Sequence, residues 1–329
     1  MRGISRLVNA LLIALVVGGG ASRSAQAASG RLQGIIDLGT HVLSLAFSPD
    51  GRIVATTGTD STVRLWDVRT GELLGVLRGH GKWVRSLAFS PDGTMLASGS
   101  QDRTVALWDL RTGQLVRRLR GEMDEVYAIV FSPTGKTLIS AGYPETVVLW
   151  DTWTGRPRRT FSVLGGGVLA IACSPDGRTL ATGGVDQPVM LLDTQTGQPR
   201  VIIEGRCGRV FALAFSPDGG TLATGGMNRT IRLWDARTGE LKGTLRGHTD
   251  SVWALSFSPS GRTLASGGRD GKVRVWDADA GQVKWTLDAF SNGVGALAFS
   301  PDGTTLAAGG SVLMGPLPHA QVIFWYVGN

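Results

Sequence analysis

The sequence predicts an all-β protein built as a closed ring of seven similar four-stranded antiparallel sheets. A Ser-Pro pair recurs seven times, and each copy lies 42 residues after the one before it. The pairs are Ser48-Pro49, Ser90-Pro91, Ser132-Pro133, Ser174-Pro175, Ser216-Pro217, Ser258-Pro259 and Ser300-Pro301. A fixed period of this length indicates a repeat architecture, in which each repeat buries its apolar face against its neighbours.

The repeat from Gly79 to Arg120 shows four strand patterns separated by turn signals. A mostly apolar run over 84–89 precedes Ser-Pro-Asp-Gly, in which Pro fixes φ and Gly accepts a positive φ, as a hairpin turn requires. Residues 95–99, 105–108 and 115–119 follow as three further strands. One such sheet cannot bury both faces, whereas seven sheets closed into a ring leave only short edges.

A Trp-Asp pair ends the third strand of five repeats, at Trp66-Asp67, Trp108-Asp109, Trp150-Asp151, Trp234-Asp235 and Trp276-Asp277. Leu192-Asp193 and Trp325-Tyr326 stand at this place in the other two repeats, and Gly-His pairs occur at 79–80 and 247–248. With these residues the chain resembles the WD-repeat family over about residues 30–329. The resemblance implies a seven-bladed β-propeller of four-stranded antiparallel blades.

The N-terminal strand is expected to complete the last blade. Residues 30–39 resemble the outer strand of later repeats, and the seventh repeat ends just after its third strand. Because the period is unbroken, residues 28–329 are interpreted as one propeller domain. The seventh repeat carries seven extra residues around 311–319, between its second and third strands. They are interpreted as a tolerated loop extension, with an apolar finger beside a binding face as the alternative.

Residues 1–27 have the pattern of a secretory signal peptide. Arg2 and Arg6 precede an apolar run over 7–17, and Ala25-Gln26-Ala27 is a small-residue cleavage pattern. The apolar run is shorter than the roughly 20 residues of a membrane span, although an uncleaved anchor is an alternative. We therefore expect an exported protein, periplasmic or extracellular, without stable membrane insertion after cleavage.

The charge and the cysteines exclude several classes of function. Removing the three arginines of residues 1–27 lowers the net charge from +7 to +4, and the basic residues are scattered, so no nucleic-acid partner is expected. Cys173 and Cys207 are placed at opposite ends of a blade, too far apart for a disulfide, and are expected to be thiols. Metal-spaced Cys/His clusters and phosphate-binding loops are absent from the sequence. We expect no cofactor and no metal.

The WD-repeat resemblance implies a buried hydrogen-bond tetrad in two blades. The residues are His80, Ser98, Asp102 and Trp108 in the second blade, and His248, Ser266, Asp270 and Trp276 in the sixth. Nucleophilic triads use the same His, Ser and Asp types. Two copies in different blades favour architecture, because an enzyme needs one site, so the chain is predicted not to be an enzyme.

Positions that differ between repeats are the candidates for a binding function. In WD-repeat proteins the variable positions at the start of the inner strand, and those just before the turn Asp, surround the top opening of the channel. Here they include eight aromatic or arginine residues of the kinds enriched at interface hot spots. These are Trp83, Arg85, Tyr127, Tyr143, Arg209, Phe211, Trp253 and Arg269.

This top face predicts a non-catalytic scaffold that binds a protein or peptide, as a monomer within a larger assembly. One alternative is that the inner-strand aromatics only fill the channel. Another is an exported propeller hydrolase, for which Glu125 and His41 are the available groups. A third is a glycan-binding propeller that uses Trp83 and Trp253.

Overall fold

The computed structural model describes residues 31–39, 41–121, 123–163, 165–204, 208–314 and 317–328, without the side chains of 311–319. The predicted signal peptide, residues 1–27, and Cys207 lie outside the described residues. The described ranges contain 28 β-strands in seven four-stranded sheets, which confirms the predicted fold class.

The seven sheets are the blades of the propeller, and each is given from its inner to its outer strand. Blade 1 contains β2 (Val42–Phe47), β3 (Ile53–Gly58), β4 (Thr62–Asp67) and β5 (Leu73–Arg78). Blade 2 contains β6 (Val84–Phe89), β7 (Met95–Ser100), β8 (Thr104–Asp109) and β9 (Gln114–Arg120). Blade 3 contains β10 (Glu125–Phe131), β11 (Thr137–Tyr143), β12 (Thr146–Asp151) and β13 (Pro157–Ser162).

The remaining blades follow the same order. Blade 4 contains β14 (Val168–Cys173), β15 (Thr179–Gly184), β16 (Val189–Asp193) and β17 (Pro199–Ile203). Blade 5 contains β18 (Val210–Phe215), β19 (Thr221–Gly226), β20 (Thr230–Asp235) and β21 (Leu241–Arg246). Blade 6 contains β22 (Val252–Phe257), β23 (Thr263–Gly268), β24 (Lys272–Asp277) and β25 (Val283–Asp288). Blade 7 contains β26 (Val294–Phe299), β27 (Thr305–Met314), β28 (Leu317–Tyr326) and β1 (Arg31–Asp37).

The N-terminal strand closes the ring, as predicted. β1 pairs antiparallel with β28, from Arg31 opposite Tyr326 to Asp37 opposite Gln321. Each inner strand contacts the inner strands of both neighbouring blades, and β2 of blade 1 contacts β26 of blade 7. The first and the last described strands therefore meet in one blade.

The hydrophobic core lies between the blades rather than within them. In the described parts of the chain, seven clusters of buried apolar residues occur, and each combines side chains of two adjacent blades. The cluster at the closure contains Ile36 of β1 with Val42, Val54, Val322 and Phe324. Blades 1 and 7 are thereby held together by the same kind of packing as every other pair.

Five of the seven blades have glycine at one position of the second strand, where the next blade approaches closely, while Thr57 and Ala141 stand there in blades 1 and 3. A Cβ on Gly309 would lie 2.5 Å from Cγ1 of Val42 in the next blade, which real side chains essentially never do. A Cβ on Gly267 would likewise lie 2.5 Å from Cγ1 of Val294 in the next blade. The glycines here provide room for the valine that begins the next inner strand.

The extra residues of blade 7 lengthen two strands. β27 and β28 are ten residues each, and their pairing continues past Gly310 opposite Gln321 to Met314 opposite Leu317. The inner strand β26 ends its pairing at Val294 opposite Gly310. The insertion is thus mainly a two-stranded extension of the blade, where the sequence suggested a loop.

Replacing Ile36 by Ala tests the closure, and Ile35→Ala is its matched control. Ile36 is 7% exposed in the cluster between blades 7 and 1, whereas Ile35 on the same strand is 48% exposed. We expect Ile36→Ala to lower the free energy of unfolding by about 2–4 kcal/mol, because the lost side chain leaves a cavity. Ile35→Ala should change it by less than about 0.5 kcal/mol in the same denaturant titration. Equal effects of the two changes would contradict the closure.

Candidate functional site

Each inner strand carries a β-bulge at the residue that follows its first valine. In blade 2, Val84 lies opposite Ser100 and Ser86 opposite Gly99, so Arg85 has no partner in the ladder. The bulged residues of the seven blades are Leu43, Arg85, Tyr127, Leu169, Phe211, Trp253 and Gly295. A bulge re-aims its side chain. These bulges lie at the end of the ring where the inner strands begin, which we call the upper face.

Arg85 lies between two aromatic rings at the upper face. Its Cζ atom is 5.7 Å from the ring centroid of Trp83 and 4.8 Å from that of Tyr127 on the neighbouring blade. The Arg85 Nε atom is shielded from solvent and has no hydrogen-bond partner among the described residues. Trp83 itself is 44% exposed. The two rings hold the guanidinium group in place without supplying an acceptor.

A polar pair from two blades lies beside this arginine. Gln101 of blade 2 donates from Nε2 to Oε2 of Glu125 in blade 3 over 3.2 Å. The main-chain N–H of Gln101 donates to the carbonyl of Trp83 over 3.0 Å. Burial, and then the neighbouring Glu125 carboxylate, raise the pKa of Tyr127. Trp83, Arg85, Gln101, Glu125 and Tyr127 are referred to below as the Arg85 cluster.

Tyr143 lies next to the Arg85 cluster. It is the strand partner of Glu125 and is 51% exposed. Its ring lies against Gly167 of blade 4, where a Cβ would come within 3.0 Å of Cδ2 of Tyr143. Gly167 also has a φ of +103°, which favours glycine. Four of the eight predicted binding residues are therefore grouped across blades 2 and 3.

The other four predicted residues lie on blades 5 and 6. Trp253 lies against Gly293 of blade 7, where a Cβ would be 2.7 Å from its Cζ3 atom. Arg269 is exposed, with Nε 3.9 Å from Oδ2 of Asp250, and on blade 5 Arg209 is exposed and Phe211 half-buried. In the parts of the chain that the structure describes, no hydrogen bond, ion pair or ring contact joins them to the Arg85 cluster.

The residues of the blade 2 tetrad form one buried network. Nδ1 of His80 is 2.8 Å from Oδ2 of Asp102, and Nε2 is 2.8 Å from Oγ of Ser98. Trp108 donates from Nε1 to the same Ser98 oxygen over 2.8 Å. Burial pushes the pKa of Asp102 upward, but hydrogen bonds from His80, Thr104 and the Gly81 N–H outweigh it and hold that pKa well below its usual range.

The blade 6 tetrad contains an additional cation. His248 lies 3.0 Å from Oδ1 of Asp270 and 2.7 Å from Oγ of Ser266, which accepts the Trp276 N–H over 2.8 Å. Nη1 of Arg274, which is buried, is 2.8 Å from Nδ1 of His248 and 3.0 Å from Asp270. Burial lowers the pKa of His248, Asp270 opposes this, and Arg274 lowers it further.

Both networks support the structural interpretation of the tetrads. His80 and His248 are buried, and Ser98 and Ser266 are completely buried, so the serine hydroxyl has no access to a substrate. Every polar member has a partner within the network, which is how buried polar groups stabilise a fold. Each tetrad links the turn after the second strand to the third strand of its blade.

The described residues offer little for metal or redox chemistry. No group of three His, Cys, Asp or Glu side chains in them can hold a metal ion. Cys173 is a free thiol at the lower end of β14, and burial raises its pKa to about 11, so it is a poor nucleophile at neutral pH. No helix in these ranges is long and apolar enough to span a bilayer.

A cavity of about 450 Å³ lies at the lower end of the channel, opposite the bulges. Four inner-strand ends and their Ser-Pro turns form its wall, with Phe47, Phe215, Phe257 and Phe299 among them. The side chains that line it include no titratable group. An acid or base for hydrolysis is therefore lacking among its walls.

Family models match most of the propeller. The model described as the IFT122 first beta-propeller matches residues 41–235, and the WD domain, G-beta repeat, matches residues 239–277 and 281–311. The first match alone covers more than half of the chain, so this chain belongs to the WD-repeat β-propeller family. Propellers of this family typically act as protein-interaction scaffolds.

Individual relatives share short stretches with the chain. An uncharacterized WD repeat-containing protein of Nostoc sp. is 53% identical over 45 residues, which are 14% of this chain and 4% of the relative. A second uncharacterized WD repeat-containing protein of Nostoc sp. is 46% identical over 43 residues, which are 13% of this chain and 3% of the relative. A DENN domain and WD repeat-containing protein of Arabidopsis thaliana is 39% identical over 44 residues, or 13% and 4%. The matches thus span only a small fraction of these relatives' length.

The lowered pKa of His248 predicts a loss of stability in mild acid. The unfolded chain has a histidine pKa of about 6.5, so His248 contributes stability above that pH and loses it as the pH falls below 6.5. Arg274→Ala removes one cause of the shift, and blade 2 has Ala106 at the matching position. We expect the pKa of His248, measured by NMR titration, to lie below 6.5 and to rise in the variant. A pKa unchanged by Arg274→Ala would contradict this account.

Proposed function

We propose that the protein is a non-catalytic scaffold that binds a protein or peptide segment at its upper face. The observation that carries the proposal is the Arg85 cluster. It presents a half-exposed Trp83 ring beside an arginine that two aromatic rings hold in place. Tryptophan, tyrosine and arginine are the residue types most enriched at interface hot spots.

The position of the cluster in the repeat supports the same proposal. The bulge gives every blade the same backbone at the upper face, while the bulged side chain differs from blade to blade. Packing of the blades does not require Arg85, because Leu43 or Gly295 stands at the same place elsewhere. A position with a constant backbone and a variable side chain is suited to recognition.

The hydrolase alternative has less support. Glu125 is the acid nearest the Arg85 cluster, and its carboxylate accepts a hydrogen bond from Gln101. The two His-Ser-Asp sets are buried within blades 2 and 6. A general base must reach the proton that it removes, and the buried histidines of these two sets do not reach the open face.

Capture of partners by the protein and its variants tests the proposed function. Immobilised residues 28–329 are incubated with envelope and secreted fractions of the source organism. We expect a protein that the wild type captures and that the triple variant Trp83→Ala, Tyr127→Ala, Trp253→Ala loses, because each central anchor contributes about 2 kcal/mol or more. Trp153→Ala is the matched control, since Trp153 is 86% exposed but lies in the turn after β12 at the lower face.

Retention of the same protein by the triple variant, or its loss with Trp153→Ala, would contradict an upper-face site. Retention of the wild type on glycan columns, with no protein captured, would favour the glycan-binding alternative. Unchanged melting temperatures of all variants are the control for folding.

We propose in addition that the protein is exported to the periplasm or the extracellular space. The basic, apolar and small-residue segments of residues 1–27 support this proposal. The intact mass of protein recovered from the source should correspond to a chain that begins at Ala28. A mass that includes residues 1–27 would instead indicate an uncleaved anchor or no export.

A further inference from the structure

Arg85 is the only charged residue among the described residues that has a buried, unpartnered side-chain atom. Three such atoms occur in the described ranges, namely Arg85 Nε, Thr182 Oγ1 and Gln187 Oε1. The other two belong to neutral side chains that are buried within blade 4. The Arg85 side chain as a whole is half-buried at the upper face, so a ligand can reach its guanidinium group, whereas Thr182 and Gln187 are buried.

An arginine without an acceptor is incomplete as a binding group. Its guanidinium has five N–H donors in a planar fork, and a buried donor that makes no hydrogen bond is unfavourable, most of all when it is charged. The rings of Trp83 and Tyr127 attract the cation, but they accept no conventional hydrogen bond. An anionic acceptor that reaches the guanidinium would supply hydrogen bonds that the described residues do not.

The carboxylate of Glu125, the acidic residue of the Arg85 cluster, does not act as the acceptor for Arg85. Glu125 is two residues before Tyr127, whose ring contacts Arg85, yet the described residues include no ion pair between Glu125 and Arg85. Gln101 instead donates to the Glu125 carboxylate, and the Gln101 backbone is fixed to Trp83. The guanidinium thus stays available to a ligand.

The charge of the ligand follows from the charges around it. Among the variable positions of the upper face, Arg85, Arg209 and Arg269 are basic and Glu125 is acidic, and Arg269 lies 3.9 Å from Asp250. At Arg85 itself there is a single guanidinium with Glu125 close by. A monovalent carboxylate matches one fork, whereas a phosphate of about −1.5 to −2 charge would need further cations and would be repelled by Glu125.

We propose that the Arg85 cluster is a carboxylate-binding subsite that recognises an acidic side chain in a peptide partner. The carboxylate accepts hydrogen bonds from the guanidinium fork of Arg85, and the exposed face of Trp83 covers an apolar part of the same peptide. This proposal rests on the proposed function, because it names the chemistry of a ligand bound at the upper face.

Selection from a library of displayed random dodecapeptides tests the subsite on the full propeller, residues 28–329. The wild type should enrich peptides with Asp or Glu at one fixed position relative to an aromatic or aliphatic residue. Arg85→Gln should weaken binding of a selected peptide by about 10- to 100-fold, the effect of losing charge-assisted hydrogen bonds. Arg85→Glu should shift the enriched residue at that position to Lys or Arg.

Two variants serve as controls. Arg111→Gln removes an exposed arginine in the turn after β8, at the lower face of the same blade, and it should leave the acidic preference unchanged. Arg85→Gln should melt close to the wild-type temperature, because its Nε has no hydrogen-bond partner among the described residues and the variant loses only the two ring contacts at the upper face. A large drop in its melting temperature would assign Arg85 a structural role and overturn the proposal.

The outcomes separate the two proposals. The carboxylate subsite would be overturned if the enriched peptides lack an acidic position and still bind Arg85→Gln. If Trp83→Ala no longer binds those peptides, the upper-face scaffold would still be supported. Tighter binding of a phosphoserine peptide than of its glutamate counterpart would overturn the choice of carboxylate. Failure of the wild type to enrich any peptide would count against the scaffold and the subsite together.

Discussion

The packing between blades is the constraint on which the rest of the structure depends. Each described cluster of buried apolar residues joins two neighbouring blades, so no blade has a hydrophobic core of its own. An open ring would expose two half-clusters, and the pairing of β1 with β28 prevents this by placing Ile36 against Val322 and Phe324. The glycines that admit a valine from the next blade, such as Gly309, serve the same contact.

The same constraint allows the side chains at the upper face to differ from blade to blade. Because the apolar clusters between blades hold the ring together, a particular side chain at the bulged position of the inner strand is not needed for that packing. Leucine, phenylalanine, tryptophan, tyrosine, arginine and glycine all occur there. Arg85 contacts Tyr127 because the adjacent bulges of blades 2 and 3 bring these two side chains together, and it also contacts Trp83 of its own blade. Recognition and stability are therefore assigned to different residues of the repeat.

The fold could be predicted from the sequence because the repeat period, the Ser-Pro turns and the Trp-Asp pairs are local patterns. The members of both tetrads could be named from the resemblance to the WD-repeat family. The bulge at Arg85, the contact of Gln101 with Glu125 and the extra cation Arg274 could not, because they depend on strand register and on side chains of separate strands. The eight candidate residues were named as one ring, whereas the structure describes a cluster on blades 2 and 3 and a separate group on blades 5 and 6.

Hydrogen exchange of the propeller with and without a bound peptide tests the central claim most directly. If the Arg85 cluster is the binding site, exchange should slow for amides near 82–86, 101–103 and 124–128 and remain unchanged in the outer strands. Slower exchange in β5 and β9, or in the Ser-Pro turns of the lower face, would place the site elsewhere and contradict the account.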